Sequence, residues 1–196
     1  MNASLQKLTT IGTLPLSLAE AKLHLRVDHT DDDGPITAYL QAAIDMIERR
    51  TGRCFRPITA TLHLSEFPSD GDPIVIPLPP LISVTAISYT DTSGANVTLS
   101  SALYVAITSA APGLIVPAIG SVWPVAMDRR SSVLVTFAAG DVTKCPPSIL
   151  DAIRLYIDHA YHEHEPLQSA RIQSRIESLI AGHVLRDRNL IGIGMG

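Results

Sequence analysis

Three side chains have the types and spacing to hold a metal ion. On a helix, His159 shares a face with His162, three residues on, and with Glu163, four residues on. Imidazole nitrogens and a carboxylate are zinc ligands. The order is not the H-E-x-x-H of hydrolytic zinc helices, and nothing nearby supplies the remaining ligand. A solvated helix end accounts for the same residues, since cationic histidine is favoured at the negative end of the helix dipole. A zinc-binding protein or enzyme built on His159, His162 and Glu163 stands only as an alternative. The acidic group Asp28, Asp31, Asp32 and Asp33 does not follow the calcium-loop pattern and reads as helix cap and loop. There is no G-x-S-x-G, no P-loop, and no G-x-G-x-x-G after a strand. The scattered serines have no matched histidine and aspartate. The chain therefore reads as non-catalytic, with no cofactor.

The elements that would position these residues begin at Leu16. Ser17 with Glu20 forms an S-x-x-E capping box, and Leu18, Ala21 and Leu25 follow on one helical face. The run Asp31-Asp32-Asp33-Gly34-Pro35 starts a second helix. Its apolar stripe is Ile36, Leu40, Ala43, Ile44 and Ile47, and Gly52 suits a left-handed stop. The first helix is too short to cover that stripe. The partner must come from downstream, where Ile149, Ile153, Tyr156, Ile157 and Ala160 line a third helix opened by Pro146-Pro147. A fourth helix follows Pro166, carrying Ile172, Ile176, Leu179 and Ile180 and stopping at Gly182. Ile36, Leu40, Ile44, Ile47, Ile153 and Ile157 are the expected helical core.

Between the helices the composition turns to β-branched residues and turn formers. Short strands are expected at 58–64, 74–76, 82–89, 97–99, 104–107, 114–116 and 133–137, divided by Asp91-Thr92-Ser93-Gly94, Ala111-Pro112-Gly113 and the cluster Pro77, Pro79, Pro80. The fold class is α+β: about four helices from both ends of the chain, with an inserted antiparallel β-sheet or small sandwich. The expected divisions are an N-terminal arm (1–15), a helical core (16–56 and 146–182), an inserted β region (57–145) and a C-terminal docking tail (183–196).

Composition restricts the partners. Of 196 residues, 46% are hydrophobic and only 17% charged, which is lean for a soluble monomer and points to subunit interfaces. No apolar run approaches the ~18 residues of a membrane span, and the first residues lack the pattern of a secretory signal. A cytoplasmic oligomer is the default. Cys54 and Cys145 are too few for a disulfide framework and read as free buried thiols. A net charge of −4 argues against gripping nucleic acid through its phosphates. Arg49-Arg50-Arg53 and Arg129-Arg130 read as a solvated helix end and a loop.

The last stretch, HVLRDRNLIGIGMG, has no period yet carries Val184, Leu185, Leu190, Ile191, Ile193 and Met195 between flexible glycines. Disordered tails are poor in large aliphatics, so this one is expected to order by docking into a groove on a partner.

Taken in order, the blocks LSLAEAKLHLRVD, IERRTGR, LPLPPLISVTAISYTD, VLVTFAAG and PPSILDAIRLYIDHAYHEHE resemble the head–tail connector (adaptor) proteins of tailed phages and gene transfer agents. The resemblance covers roughly residues 14–182. It implies a structural homo-oligomer, a ring of about twelve copies beneath the portal protein. It also implies a stopper or other neck protein below, and genome DNA passing through the channel without sequence-specific binding. The place implied is the virion head–tail junction, assembled in the bacterial host cytoplasm, with no membrane. Portal docking falls to Leu185, Leu190, Ile191, Ile193 and Met195. Another neck or tail-completion protein is the nearest alternative.

Overall fold

The computed structural model describes residues 3–10, 13–163 and 170–185. Its elements divide into two compact units, one helical (residues 13–55 and 142–185) and one built of strands around residues 56–141.

The helical unit opens with α1 (Leu18–Leu25). Ser17 and Glu20 form the reciprocal box: the Glu20 N–H donates to Ser17 Oγ (3.2 Å) and the Ser17 N–H to Glu20 Oε2 (2.8 Å). The helix ends on Arg26 in the left-handed region (φ 60°), where its N–H meets the Leu23 carbonyl. Helix α2 (Asp33–Thr51) starts with Gly34 and Pro35 in its first turn and stops at Gly52, whose φ of 70° few residues other than glycine adopt without strain. Helices α3 (Pro147–Glu163) and α4 (Ala170–Ile180) complete the unit. Gly182 does not act as a stop: it lies inside a 3₁₀ turn, Ala181–His183, that extends the end of α4.

One core joins the four helices. Ile36, Leu40, Ile44 and Ile47 of α2 meet Ile149, Ile153 and Ile157 of α3, with Ile176 and Ile180 of α4 and Ala21 and Leu25 of α1. Ile36, Ile44, Ile47, Ile153 and Ile157 are fully buried and Leu40 is 1% exposed. Each such side chain stabilises the fold by about 1.5–3 kcal/mol relative to exposure. The stripe of α2 that α1 could not cover is thus met by α3, against which α4 packs in turn.

The strand unit holds two antiparallel sheets. The larger contains β1 (Ala3–Thr10), β2 (Ile58–Leu64), β4 (Leu81–Thr90), β5 (Asn96–Leu99) and β8 (Val133–Ala139), in the order β1-β2-β8-β4-β5. The smaller contains β3 (Ile74–Ile76), β6 (Tyr104–Ile107) and β7 (Gly113–Pro117), in the order β3-β7-β6. In the central strand β8 the alternation is strict, with Val133, Val135, Phe137 and Ala139 buried. Thr136 on its other face sits opposite Thr61, hydroxyl to hydroxyl at 3.3 Å. Gly113 is required where it stands, because a Cβ there would lie 2.5 Å from Leu81 Cβ. Residues 3–10, expected as part of an unpatterned arm, form an edge strand paired to β2 along its length, with a bulge between Lys7 and Thr9.

Candidate functional site

The end of α2 is where the last described residues of the chain are held. Thr51 is buried and donates its hydroxyl to the Ile47 carbonyl at 2.8 Å, while its own carbonyl accepts the Leu185 N–H at 3.0 Å. That carbonyl is one of the last four of the helix, which have no partner within it. Arg53 Nε–H donates to the His183 carbonyl at 2.8 Å, and Ser148 Oγ lies 2.9 Å from His183 Nε2. Residues 183–185 therefore lie flat along the helical unit, with Val184 38% exposed. Leu185, half-buried, is the one predicted docking residue among those described; Leu190, Ile191, Ile193 and Met195 lie outside them. The nearby arginines serve the same unit. Arg50 pairs with Glu177 of α4 at 3.2 Å, and Arg53 is spent on the His183 carbonyl.

The histidine end of α3 faces the start of α2. The Tyr161 hydroxyl donates to Asp32 Oδ2 at 2.6 Å, and that bond raises the Tyr161 pKa above its ordinary value. Asp32 occupies the N-cap position of α2 but makes no side-chain capping bond. Neighbouring Asp33 pairs with Lys22 of α1. Asp32, Pro35, Tyr39, Tyr161 and His162 line an open cleft of about 470 Å³. His162 Nδ1 lies 2.9 Å from the Asp158 carbonyl, one turn back on its own helix. His159 Nε2 is buried without a hydrogen-bond partner, and the Glu163 side chain lies outside the described positions. Among the described residues no three histidines, cysteines or carboxylates converge as a metal site would need. The arrangement ties helices together and has no acid–base or nucleophilic geometry.

Residues 15–102 match the family of phage gp6-like head–tail connector proteins. The match spans somewhat less than half of the chain, which is similar to head–tail connector proteins over that part. The family is a structural one, not an enzyme family. No curated protein matches the chain. Among solved structures, it is similar to a chain in the virion of a native gene transfer agent particle, at 25% identity and a TM-score of 0.74. It is also similar to a chain in the neck of an empty gene transfer agent particle computed with C6 symmetry (23%, 0.72). A third likeness is to a chain in the neck of the native particle computed with C12 symmetry (24%, 0.70). Each covers 93% of this chain and 96% of the other.

The strand unit also carries an exposed apolar surface that lies outside its strands. Residues 118–126 join β7 to the bridge that Ala126 makes with Asp91. Ile119, Val122 and Val125 stand out from this loop, 106%, 83% and 75% exposed. The loop is nevertheless pinned. The Ala118 N–H donates to the Leu103 carbonyl (2.9 Å), Ser121 N–H to the Ala118 carbonyl (2.8 Å) and Met127 N–H to the Thr90 carbonyl (2.8 Å). Trp123 turns inward, stacking on Phe67 at 5.3 Å while its indole N–H donates to the Asp72 carbonyl at 3.0 Å. Phe67 packs edge-on against Tyr89 of β4. The signal in the sequence was an aliphatic-rich stretch, AIGSVWPVAM, with neither strand nor helical period. Among the described residues no helix is long and apolar enough to cross a membrane.

Proposed function

We propose that this chain is a head–tail connector, one subunit of a closed ring of about twelve copies at the head–tail junction of a tailed phage or gene transfer agent. The ring sits beneath the portal, continues the DNA channel, and joins the head to a stopper or other neck protein. The observation that carries this reading is the likeness, over 93% of the chain, to chains of gene transfer agent necks computed with C12 and C6 symmetry. Residues 16–56 and 146–182 serve as its helical scaffold, 57–145 as the inserted β region, and the chain beyond Leu185 as the tail that reaches the portal through Leu190, Ile191, Ile193 and Met195. The net charge of −4 suits a channel through which DNA slides, because each Lys or Arg contact to phosphate releases counterions and holds the duplex.

Cryo-electron microscopy of particles containing this chain tests the reading. The expected result is a twelve-copy ring of this fold between portal and tail, with few basic side chains on the channel wall. Its absence from the neck would overturn the assignment, and a continuous Lys/Arg lining would overturn the sliding argument.

A further inference from the structure

The pinned loop 118–126 has no structural reason to present three aliphatic side chains to water. Ala118–Ser121 is a tight turn closed by the Ser121 N–H, with Gly120 at φ +80° in its third position. Ile119 therefore occupies the corner of an exposed turn, a place that polar residues and proline normally fill. Val122 and Val125 flank Trp123, whose ring is fixed against Phe67 and whose N–H is fixed on Asp72. Five anchors hold the segment, so its apolar tips have little ordering entropy left to lose on contact. A rigid apolar knob flanked by polar residues is the form of an interface anchor.

We infer that loop 118–126 is the contact through which one copy of this connector meets the next in the ring. The inference rests on the ring reading above. The occupant is a second copy because the necks that hold its structural relatives were computed with C12 and C6 symmetry, so an identical neighbour is repeated around the axis. In a closed ring of more than two copies the contact is heterologous, so the knob must meet a different surface of the neighbour. The strand unit offers one. Leu103 and Val105 adjoin the loop itself through the Ala118–Leu103 hydrogen bond, but exposed Ile82 lies at the opposite end of β4 from Thr90, where the loop is tied. At ~3.3 Å per strand residue these two ends are about 25 Å apart. An exposed aliphatic side chain so far from the knob on the same unit marks a separate face for a head-to-tail repeat.

The test is photo-cross-linking in assembled particles. Val122 is replaced by benzoylphenylalanine in the full chain, with the exposed turn residue Ser93 replaced likewise as the control. The expected product at position 122 is a covalent dimer of two 21.0 kDa chains, absent at position 93. A cross-link to any other virion protein, a cross-link within one chain, or no product from particles that contain the chain would overturn the inference while leaving the ring reading intact. Particles that lack the chain would overturn both.

Discussion

The hydrogen bonds that hold residues 183–185 on the helical unit can be weighed by two truncations. Removing residues 183–196 takes away the Leu185 N–H that satisfies the Thr51 carbonyl, the His183 carbonyl that receives Arg53, and the His183 ring beside Ser148. A hydrogen bond of this kind contributes about 0.5–1.5 kcal/mol net, and the one from a charged arginine somewhat more before solvent screening reduces it. The three together amount to about 2–4 kcal/mol, with the Thr51 carbonyl left as an orphan at the helix end. At about 2–4 °C per kcal/mol for a chain of this length, the helical unit should melt about 4–16 °C lower. Removing only residues 186–196 leaves all three contacts, so its Tm should match that of the full chain. Thermal unfolding followed by circular dichroism reads the stability, and co-purification with the portal ring reads docking. The shorter deletion should keep its fold and lose the portal. If it melts as low as the longer one, the tail folds back onto its own subunit. If both melt with the full chain, the contacts of His183 and Leu185 hold nothing.

Two further perturbations probe one unit each. Gly113→Ala places a Cβ 2.5 Å from Leu81 Cβ, a clash that neither strand relieves without moving, and should destabilise the strand unit by about 1–3 kcal/mol in urea unfolding; an unchanged midpoint would show that β7 and β4 do not approach so closely. In the helical unit, burial raises the Cys145 thiol to about 11, with the Glu48 carboxylate adding to the shift. At pH 8 its thiolate fraction should then be about a hundredfold below that of a thiol near 9, and disulfide-reagent labelling should slow in proportion. The sign for stability follows: above pH 9 the unfolded chain releases this proton and the folded chain keeps it, so stability falls as pH rises from about 9 to 11. Labelling of native Cys145 at the rate of the unfolded chain would refute the shift.

The helical half was legible because its signals are local and periodic. The Ser17–Glu20 box and the stop at Gly52 each satisfy backbone groups within a few residues, and the start before Pro35 also stands where the residue types put it, without a side-chain capping bond from Asp32. The stripe of α2 also announced that it needed a distant partner, and α3 meets it. Strand β1 was not legible because it is an edge: its pairing comes from the backbone of β2, and residues 3–10 show no alternation to record that. Gly182 misled because glycine marks a helix stop only where φ turns positive, whereas here a 3₁₀ turn continues through it. Asp32 was read with its neighbours as cap and loop, but its carboxylate accepts the Tyr161 hydroxyl from a helix 129 residues away in sequence. Such a bond leaves no trace in local spacing.

The composition raised a question that the structure answers by position. A chain with 46% hydrophobic residues and 17% charged ones has more apolar surface than a soluble monomer needs. Random scatter of that surplus would be ordinary, since single exposed aliphatics are common on any surface. Here Ile119, Val122 and Val125 crowd into seven residues, held in place by a half-buried tryptophan stacked on Phe67. Rigidity separates a contact surface from a solvated loop: a loop with no partner gains nothing by fixing greasy side chains in water. The same reasoning applies at the end of α2, where Thr51, Arg53 and Ser148 anchor residues 183–185 and so fix the point from which the remaining chain departs.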